Sequence, residues 1–207
     1  DDIMGIICGW QGRNQKLQSS SIDKMFAAAA GYAETSPSVY TSDFGTVCIY
    51  DEQPAPDFYF SKDICVVIEG HPEWEDPLLA QRATEESSSR ALADGFTRYG
   101  LKFLEKLHGD FALCIMKPAE GYVLLAIDRI GIRPLAYALS NESIVFGSQI
   151  SSIRSHPSVR AEVAPQGIFN YLYFHMVPSP GTIFRDIHKL QPGEFLEYEN
   201  GKIKQQH

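Results

Sequence analysis

The 207-residue chain has no apolar run that approaches the length of a membrane span, which needs roughly 20 consecutive residues. Basic residues are also scarce, since 18 lysines and arginines stand against 26 aspartates and glutamates, giving a formal net charge of −8. Without a basic stripe, this acidity argues against nucleic acid or an anionic membrane as a partner. Asp1 and Asp2 have the wrong charge for the start of a signal peptide, so we expect a cytoplasmic protein.

Cysteine is sparse, and no two cysteines are close enough in sequence to form the paired motif of a zinc site. Each of the four stands inside an apolar stretch, where a free cysteine behaves as a small hydrophobic residue. We therefore predict four reduced core thiols and no metal site, with disulfides as the alternative. The residues are Cys8, Cys48, Cys65 and Cys114.

The chain is rich in short runs of Val, Ile, Phe, Tyr and Cys, each bounded by turn residues, which is the pattern of strands. The predicted strands cover residues 3–8, 44–50, 64–68, 110–116, 122–127, 135–139, 144–148 and 194–198. The segments KPAEGY and SNES are typical of hairpin loops between neighbouring strands, so antiparallel pairing should dominate. The first run, IMGIICGW, suits either a buried strand or an enzyme whose nucleophile begins the chain.

Three segments predict helices. The first covers residues 21–34, with Ser21 or Asp23 as its cap, and the third covers residues 165–174, where a proline opens the first turn. The second, residues 87–109, has serines at its start and places large apolar residues on one face at spacings of three and four. Those residues are Leu92, Phe96, Tyr99, Phe103 and Leu107.

Strands grouped into hairpins and separated by helices indicate an α+β fold. Several strands are apolar on both faces, which suits sheets covered on one side by helices and on the other by a second sheet. We predict a single domain over residues 1–207, built as a four-layer αββα sandwich.

Four linked motifs resemble the N-terminal glutamine amidotransferase domain of asparagine synthetases. LHGDFA, residues 107–112, is similar to that family's Leu-x-Gly-x-Phe-Ala strand, and DRIGIRPL, residues 128–135, is similar to its Arg-Asp-x-x-Gly-Ile-x-Pro-Leu stretch. FGSQISSIRSHP and the segment ending in TIFRDIHKLQPGEFLEY resemble the next two motifs in order. The resemblance covers residues 107–198 closely and residues 3–106 more loosely, and it implies the N-terminal-nucleophile hydrolase fold.

The resemblance also implies a mechanism that this sequence does not support. In the family, an N-terminal cysteine attacks the amide of glutamine and its own α-amine is the base. Here the family's Cys-Gly-Ile start aligns with Met4-Gly5-Ile6, behind three further residues. A thioether has no proton to lose, so Met4 marks a lost nucleophile. A register that begins at Cys8 is the alternative, and it would require removal of seven residues.

The remaining catalytic positions are changed as well. The family's oxyanion-hole amide corresponds to Glu69, while Gly70 retains the backbone element of that site. Ser88 stands where the family has the aspartate that holds the α-amine of glutamine, and Arg90 stands at the following glutamate. The arginine that grips the α-carboxylate is missing from residues 48–56. We predict that these four residues form a vestigial pocket and that no residue is catalytic.

Two clusters remain open on sequence grounds. The acidic segment EGHPEWED, residues 69–76, could be a metal or acid–base cluster, but a solvated turn after a buried strand is the simpler interpretation. Asp128 and Arg129 could pair with each other or bridge to another part of an enzyme, and we favour a role in fold stability.

The resemblance implies that this domain is the N-terminal fragment of a larger amide- or lactam-forming enzyme. Relatives that lost the nucleophile, such as β-lactam synthetases, keep this layer as a scaffold. We predict a degenerate domain partnered by a C-terminal ATP-pyrophosphatase domain, which alone would need ATP and Mg²⁺, and we leave a homodimer open. The alternatives are an active glutaminase that supplies ammonia and a module that binds a small ligand in the vacated pocket.

Overall fold

A computed structural model of the chain describes residues 5–12, 20–31, 36–50, 57–140 and 142–206. Strands and helices are numbered along the chain. The strands are β1 (Ile6–Gly12), β2 (Ser38–Ser42), β3 (Gly45–Tyr50), β4 (Asp57–Phe60), β5 (Cys65–Trp74), β6 (Leu107–Lys117), β7 (Tyr122–Ile127), β8 (Ala136–Ser140), β9 (Ser143–Gly147), β10 (Ile187–Lys189), β11 (Phe195–Glu199) and β12 (Lys202–Gln206). The α-helices are α1 (Ser20–Ala30), α2 (Pro77–Glu85), α3 (Ser88–Tyr99), α4 (Ile150–Ser155) and α5 (Pro165–Phe174).

The strands form two six-stranded antiparallel sheets that lie face to face. The first has the order β10-β8-β9-β1-β3-β2 and the second has the order β12-β11-β7-β6-β5-β4. One apolar cluster joins their inner faces, with Ile7 and Phe146 from the first sheet and Cys114 and Leu125 from the second. The outer faces are apolar too, because β1, β3 and β7 are buried along their whole length.

Helices cover both outer faces. Helices α1 and α4 pack on the first sheet, where Met25 and Ile153 join the cluster around Trp10. Helix α3 and the 3₁₀ turn that follows it pack on the second sheet, where Leu92 and Phe103 join a third cluster. The predicted four-layer αββα sandwich is therefore confirmed.

Most of the predicted strands form, whereas the short edge strands β2, β4, β10 and β12 were missed. These strands have few buried positions, so their sequences show no continuous apolar run. The first strand extends beyond the predicted boundary, because β1 continues through Gly9 and Trp10 to pair with Thr46 and Val145. Residues 3 and 4 of that prediction lie outside the described residues.

The predicted helix over residues 87–109 ends earlier than expected. Ser87 does cap it, accepting a hydrogen bond from the Arg90 amide at 3.2 Å, but α3 stops at Gly100, where φ is +56°. A 3₁₀ helix, Gly100–Lys106, then brings Phe103 onto the sheet, and Leu107 already begins β6. Helices α2 and α4 were missed, while α5 has the predicted bounds.

All four cysteines are buried and unbonded, as predicted. Cys8 and Cys48 are opposite each other on β1 and β3, with their sulfurs 3.1 Å apart. This contact, together with burial, raises the pKa of Cys8 well above its ordinary value. Burial raises the pKa of Cys65 to about 12. The thiols of Cys8 and Cys65 therefore stay protonated at neutral pH.

Among the described residues, no helix combines the length and hydropathy that a bilayer crossing requires.

His156 is a titratable group inside the core beneath β1. Its ring lies 5.0 Å from that of Trp10, and Nδ1 is 2.8 Å from the Ser158 hydroxyl. Only 1% of the residue is exposed, and burial lowers its pKa from 6.5 to about 4.

The histidine therefore makes the fold sensitive to mild acid. Between pH 6.5 and 4 the unfolded chain binds a proton at His156 that the folded chain does not, so this part of the stability is lost as the pH falls. We expect His156→Phe, which keeps an aromatic ring, to reduce the loss of unfolding free energy over this range by about 3 kcal/mol. Urea denaturation at several pH values measures the free energy of unfolding of the variant and the wild type. The same dependence on pH in both proteins would contradict the prediction.

Candidate active-site region

The pairing of β5 with β6 brings acidic side chains together at one end of the second sheet. In this register Glu69 is opposite Ala112, and His71 is opposite Asp110. Gly70 has φ +100°, and a Cβ there would lie 2.3 Å from the Asp110 carbonyl oxygen. Glycine is therefore required at this position, because any side chain would force the two backbones apart.

Glu69 is almost completely buried, with 2% of the residue exposed, and it pairs with Arg133. The Arg133 Nη1 donates to Glu69 Oε1 at 3.0 Å, and its Nε donates to Asp110 Oδ2 at 2.9 Å. His71 Nδ1 lies 3.4 Å from the other oxygen of Asp110. One guanidinium thus joins two strands of the sheet through two carboxylates.

The charge balance around Arg133 favours its cationic form. Burial works against the charged guanidinium, but the hydrogen bonds to Asp110 and Glu69 and the charge of Glu69 outweigh it and raise the pKa of Arg133.

The turn that carries Arg133 is held by a single carboxylate. Asp128 is 1% exposed and accepts hydrogen bonds from the backbone amides of residues 130–133 at 2.7–3.1 Å. Burial by itself would raise the pKa of Asp128, but these four amides outweigh it and lower the pKa. Arg129 points elsewhere, to the Glu105 carbonyl oxygen at 3.4 Å, so Asp128 and Arg129 do not pair and the structural role that we favoured for Asp128 fits.

Glu69 also contacts the start of β1. The Ser148 hydroxyl lies 3.4 Å from Glu69 Oε2 and accepts a hydrogen bond from the Ile7 amide at 3.0 Å. A Cβ built on Gly5 would lie 2.6 Å from Cγ and 2.8 Å from Cδ of Glu69. The glutamate side chain therefore occupies the space directly against the backbone that follows position 4. Met4 itself lies outside the described residues.

Ser88 and Arg90 lie beside β4, on the far side of β5. The amides of Ser88 and Ser89 donate to Asp57 at 2.8 and 3.1 Å, and Asp57 is opposite Ile68 in the sheet. Asp57 thereby anchors the first turn of α3 beside Ile68, the residue that precedes Glu69 on β5.

Arg90 is directed to neighbours on α3 and β4. Its guanidinium lies 4.6 Å above the Tyr59 ring and donates to the Tyr59 hydroxyl. Its Nε is 3.4 Å from Asp94. The contacts of Arg90 in the described structure are thus separate from those of Glu69, although both residues were assigned to one vestigial pocket.

The acidic segment 69–76 differs from the solvated turn that we favoured. Strand β5 continues to Trp74, Glu69 is buried, and Asp76 caps α2 by accepting from the Leu78 amide at 2.9 Å. Within the described ranges, no group of three or more His, Cys, Asp or Glu side chains is arranged to hold a metal ion.

Sequence reasoning missed Arg133, Asp110 and Ser148 as members of this site. Arg133 occupies the variable position of the motif GIRPL, and Asp110 that of LHGDFA. The signal that could have found them is a lone charge inside an otherwise apolar motif, because a buried charge needs a partner. Glu69, a lone charge at the end of CVVIE, has the same signal.

Comparison with known proteins identifies the family. A family model described as a glutamine amidotransferase domain matches residues 71–207. The chain belongs to this family. The matched range covers β6 and the loop of Asp128 and Arg133, and it begins just after Glu69 and Gly70.

Several of the similar proteins are asparagine synthetases. Asparagine synthetase [glutamine-hydrolyzing] 3 of Bacillus subtilis is 27% identical over 113 residues, covering 54% of this chain and 18% of the relative. A putative asparagine synthetase [glutamine-hydrolyzing] of Mycobacterium bovis is 26% identical over 147 residues, covering 68% and 22%. The chain thus spans about a fifth of the length of these relatives.

Two solved structures share the fold. The allosteric regulatory enzyme of purine biosynthesis has a TM-score of 0.60 at 13% identity, covering 98% of this chain and 48% of that one. The glutamine phosphoribosylpyrophosphate amidotransferase of B. subtilis has a TM-score of 0.56, also at 13% identity and with the same coverage. At this identity the likeness establishes the αββα fold.

The Glu69–Arg133 pair predicts a large and specific loss of stability on mutation. Arg133→Met should lower the free energy of unfolding by about 3–5 kcal/mol, because it removes the guanidinium that pairs with a buried carboxylate. Adding Glu69→Leu should recover much of that loss, since the buried charge is then removed as well. Urea denaturation measures both variants.

Arg129→Met is the matched control. It removes an exposed guanidinium four positions earlier in the same turn, and it should change stability by no more than about 0.5 kcal/mol. Equal losses for Arg133→Met and Arg129→Met would show that the buried pair does not contribute as described.

Proposed function

We propose that this amidotransferase domain is catalytically degenerate and acts as the scaffold of an asparagine-synthetase-like enzyme that forms amide or lactam bonds. ATP and Mg²⁺ would act in the synthetase part of that enzyme. The observation that carries the proposal is the buried Glu69 side chain, paired with Arg133 and packed against Gly5. By the resemblance, Glu69 corresponds to the neutral amide that the family's mechanism needs in its oxyanion hole.

The nucleophile position supports the proposal. Met4 offers a methylated sulfur, and three residues precede it, so neither a thiolate nor an adjacent terminal amine is available. Cys8 is a poor substitute, since it is fully buried in the middle of β1 and pairs with Cys48 and Gly147 on the neighbouring strands. Its raised pKa also keeps the thiol protonated.

The electrostatics of the site support it as well. Acyl transfer from glutamine develops negative charge on the carbonyl oxygen, and hydrogen-bond donors without competing acceptors stabilise that charge. Nη1 and Nε of Arg133 are directed at Glu69 and Asp110, so these two donors are already occupied. The negative charge of Glu69 would repel an oxyanion instead of stabilising it.

The charged groups near Ser88 and Arg90 that could bind the α-amine and α-carboxylate of glutamine also have partners within the protein. A clamp for the α-amine of glutamine needs a free carboxylate, but Asp57, the carboxylate beside Ser88, accepts two backbone amides. A clamp for the α-carboxylate needs a free guanidinium, but Arg90 is stacked on Tyr59 and faces Asp94.

The proposal predicts that the purified domain does not hydrolyse glutamine. Glutamate release from glutamine should equal that of a blank without protein, and Cys8→Ala should change nothing. The amidotransferase domain of the B. subtilis relative provides the positive control. A rate above the blank that Cys8→Ala abolishes would restore the active-glutaminase alternative.

A thermal-shift measurement with glutamine separates the scaffold from a ligand-binding module. We expect no rise in melting temperature at millimolar glutamine, because Glu69, Asp57 and Arg133 already have partners within the protein. A rise that Arg133→Met abolishes and Arg129→Met retains would support the binding module and contradict the scaffold.

A further inference from the structure

Helix α5 leaves an unusual amount of apolar surface uncovered. Residues 163–176 contain no Asp, Glu, Lys or Arg, and six apolar side chains of the helix are each 45–72% exposed. We call them the α5 surface: Ile168, Phe169, Tyr171, Leu172, Tyr173 and Phe174. A contiguous exposed patch of this kind marks a site of contact with another protein surface.

Among the described residues, the packing of α5 on the rest of the domain is centred on its first turn. Gly167 is the buried residue of the helix, and a Cβ there would lie 2.9 Å from Cα of Ile183 and 3.0 Å from the Thr182 carbonyl oxygen. The preceding Ala164 amide donates to the Ile183 carbonyl at 2.9 Å. An isolated helix of ten residues is marginal in water, so a helix docked through one glycine needs cover from elsewhere.

The aromatic rings of the surface are already arranged against one another. Phe169 and Tyr173 stack with their centroids 6.0 Å apart, and Tyr173 meets Phe174 edge-on at 4.8 Å. Large aromatic side chains dominate the centres of protein interfaces, and their few torsions make ordering them inexpensive.

We propose that the α5 surface is where the synthetase part of the same enzyme docks. This inference rests on the proposed function and adds the surface through which the two parts of the enzyme would contact each other. The relatives extend to about five times the matched length, so they contain a large further part that is available to pack against the matched segment. Permanent interfaces of this kind are more apolar than transient ones.

A second copy of this chain is the rival occupant. Two copies would each bring a net charge of −8 to the contact, and the uncharged α5 surface offers nothing to offset that repulsion. A partner of different charge avoids this cost.

Hydrogen–deuterium exchange of α5 tests the docking. The comparison is between the 207-residue chain and the longer chain that the proposal predicts, in which a synthetase part is joined to it. The amides of residues 168–174 should exchange about tenfold or more slowly in the longer chain, because local opening becomes coupled to undocking. Leu172→Glu and Tyr173→Glu in the longer chain should return exchange to the rate of the short one.

Leu78→Glu is the matched control, since Leu78 is an equally exposed leucine on α2, and it should leave the protection of α5 unchanged. Unprotected α5 in a longer chain that is otherwise folded would overturn the docking alone. Protection of α5 in the short chain that depends on its concentration would assign the surface to a second copy. A gene without a synthetase part would overturn both proposals, whereas glutamine hydrolysis with protected α5 would overturn only the degenerate function.

Discussion

The buried contact between Glu69 and Arg133 connects segments of this domain that are far apart in the sequence. Glu69 belongs to β5, Arg133 to the turn fixed by Asp128, and Asp110 to β6. Ser148 extends the same network to the amide of Ile7 on β1. Because a carboxylate with 2% exposure cannot remain charged without a partner, these segments must keep their relative positions.

That constraint is compatible with the proposed loss of glutamine hydrolysis, because it holds the segments in place without any substrate. An amidotransferase site needs hydrogen-bond donors and acceptors that have no partner in the protein before substrate binds. Such unpaired groups lower the stability of the free protein. Here the donors of Arg133 are directed at protein carboxylates, and the carboxylate of Asp57 accepts the first amides of α3. These polar groups thus stabilise the sandwich, in keeping with the proposed scaffold role.

The layered core and the α5 surface show two different uses of apolar residues. Strands such as β1 and β7 are buried on both faces between a second sheet and a helix layer. Helix α5 is equally apolar, yet only Gly167 is buried within this domain. Composition alone does not distinguish these cases, since both sequences are hydrophobic runs without charge.

The sequence by itself determined the fold class, the strands with continuous apolar runs, the buried free thiols and the family. Those features depend on local pattern and on motifs read in order along the chain. Only the tertiary structure decided that Glu69 pairs with Arg133, 64 residues away, and that Arg90 faces Tyr59. It also decided that β5 continues to Trp74, because β6 pairs with a segment whose own composition resembles a turn. The physical reason is that burial creates the need for a partner, and burial arises only when distant strands come together.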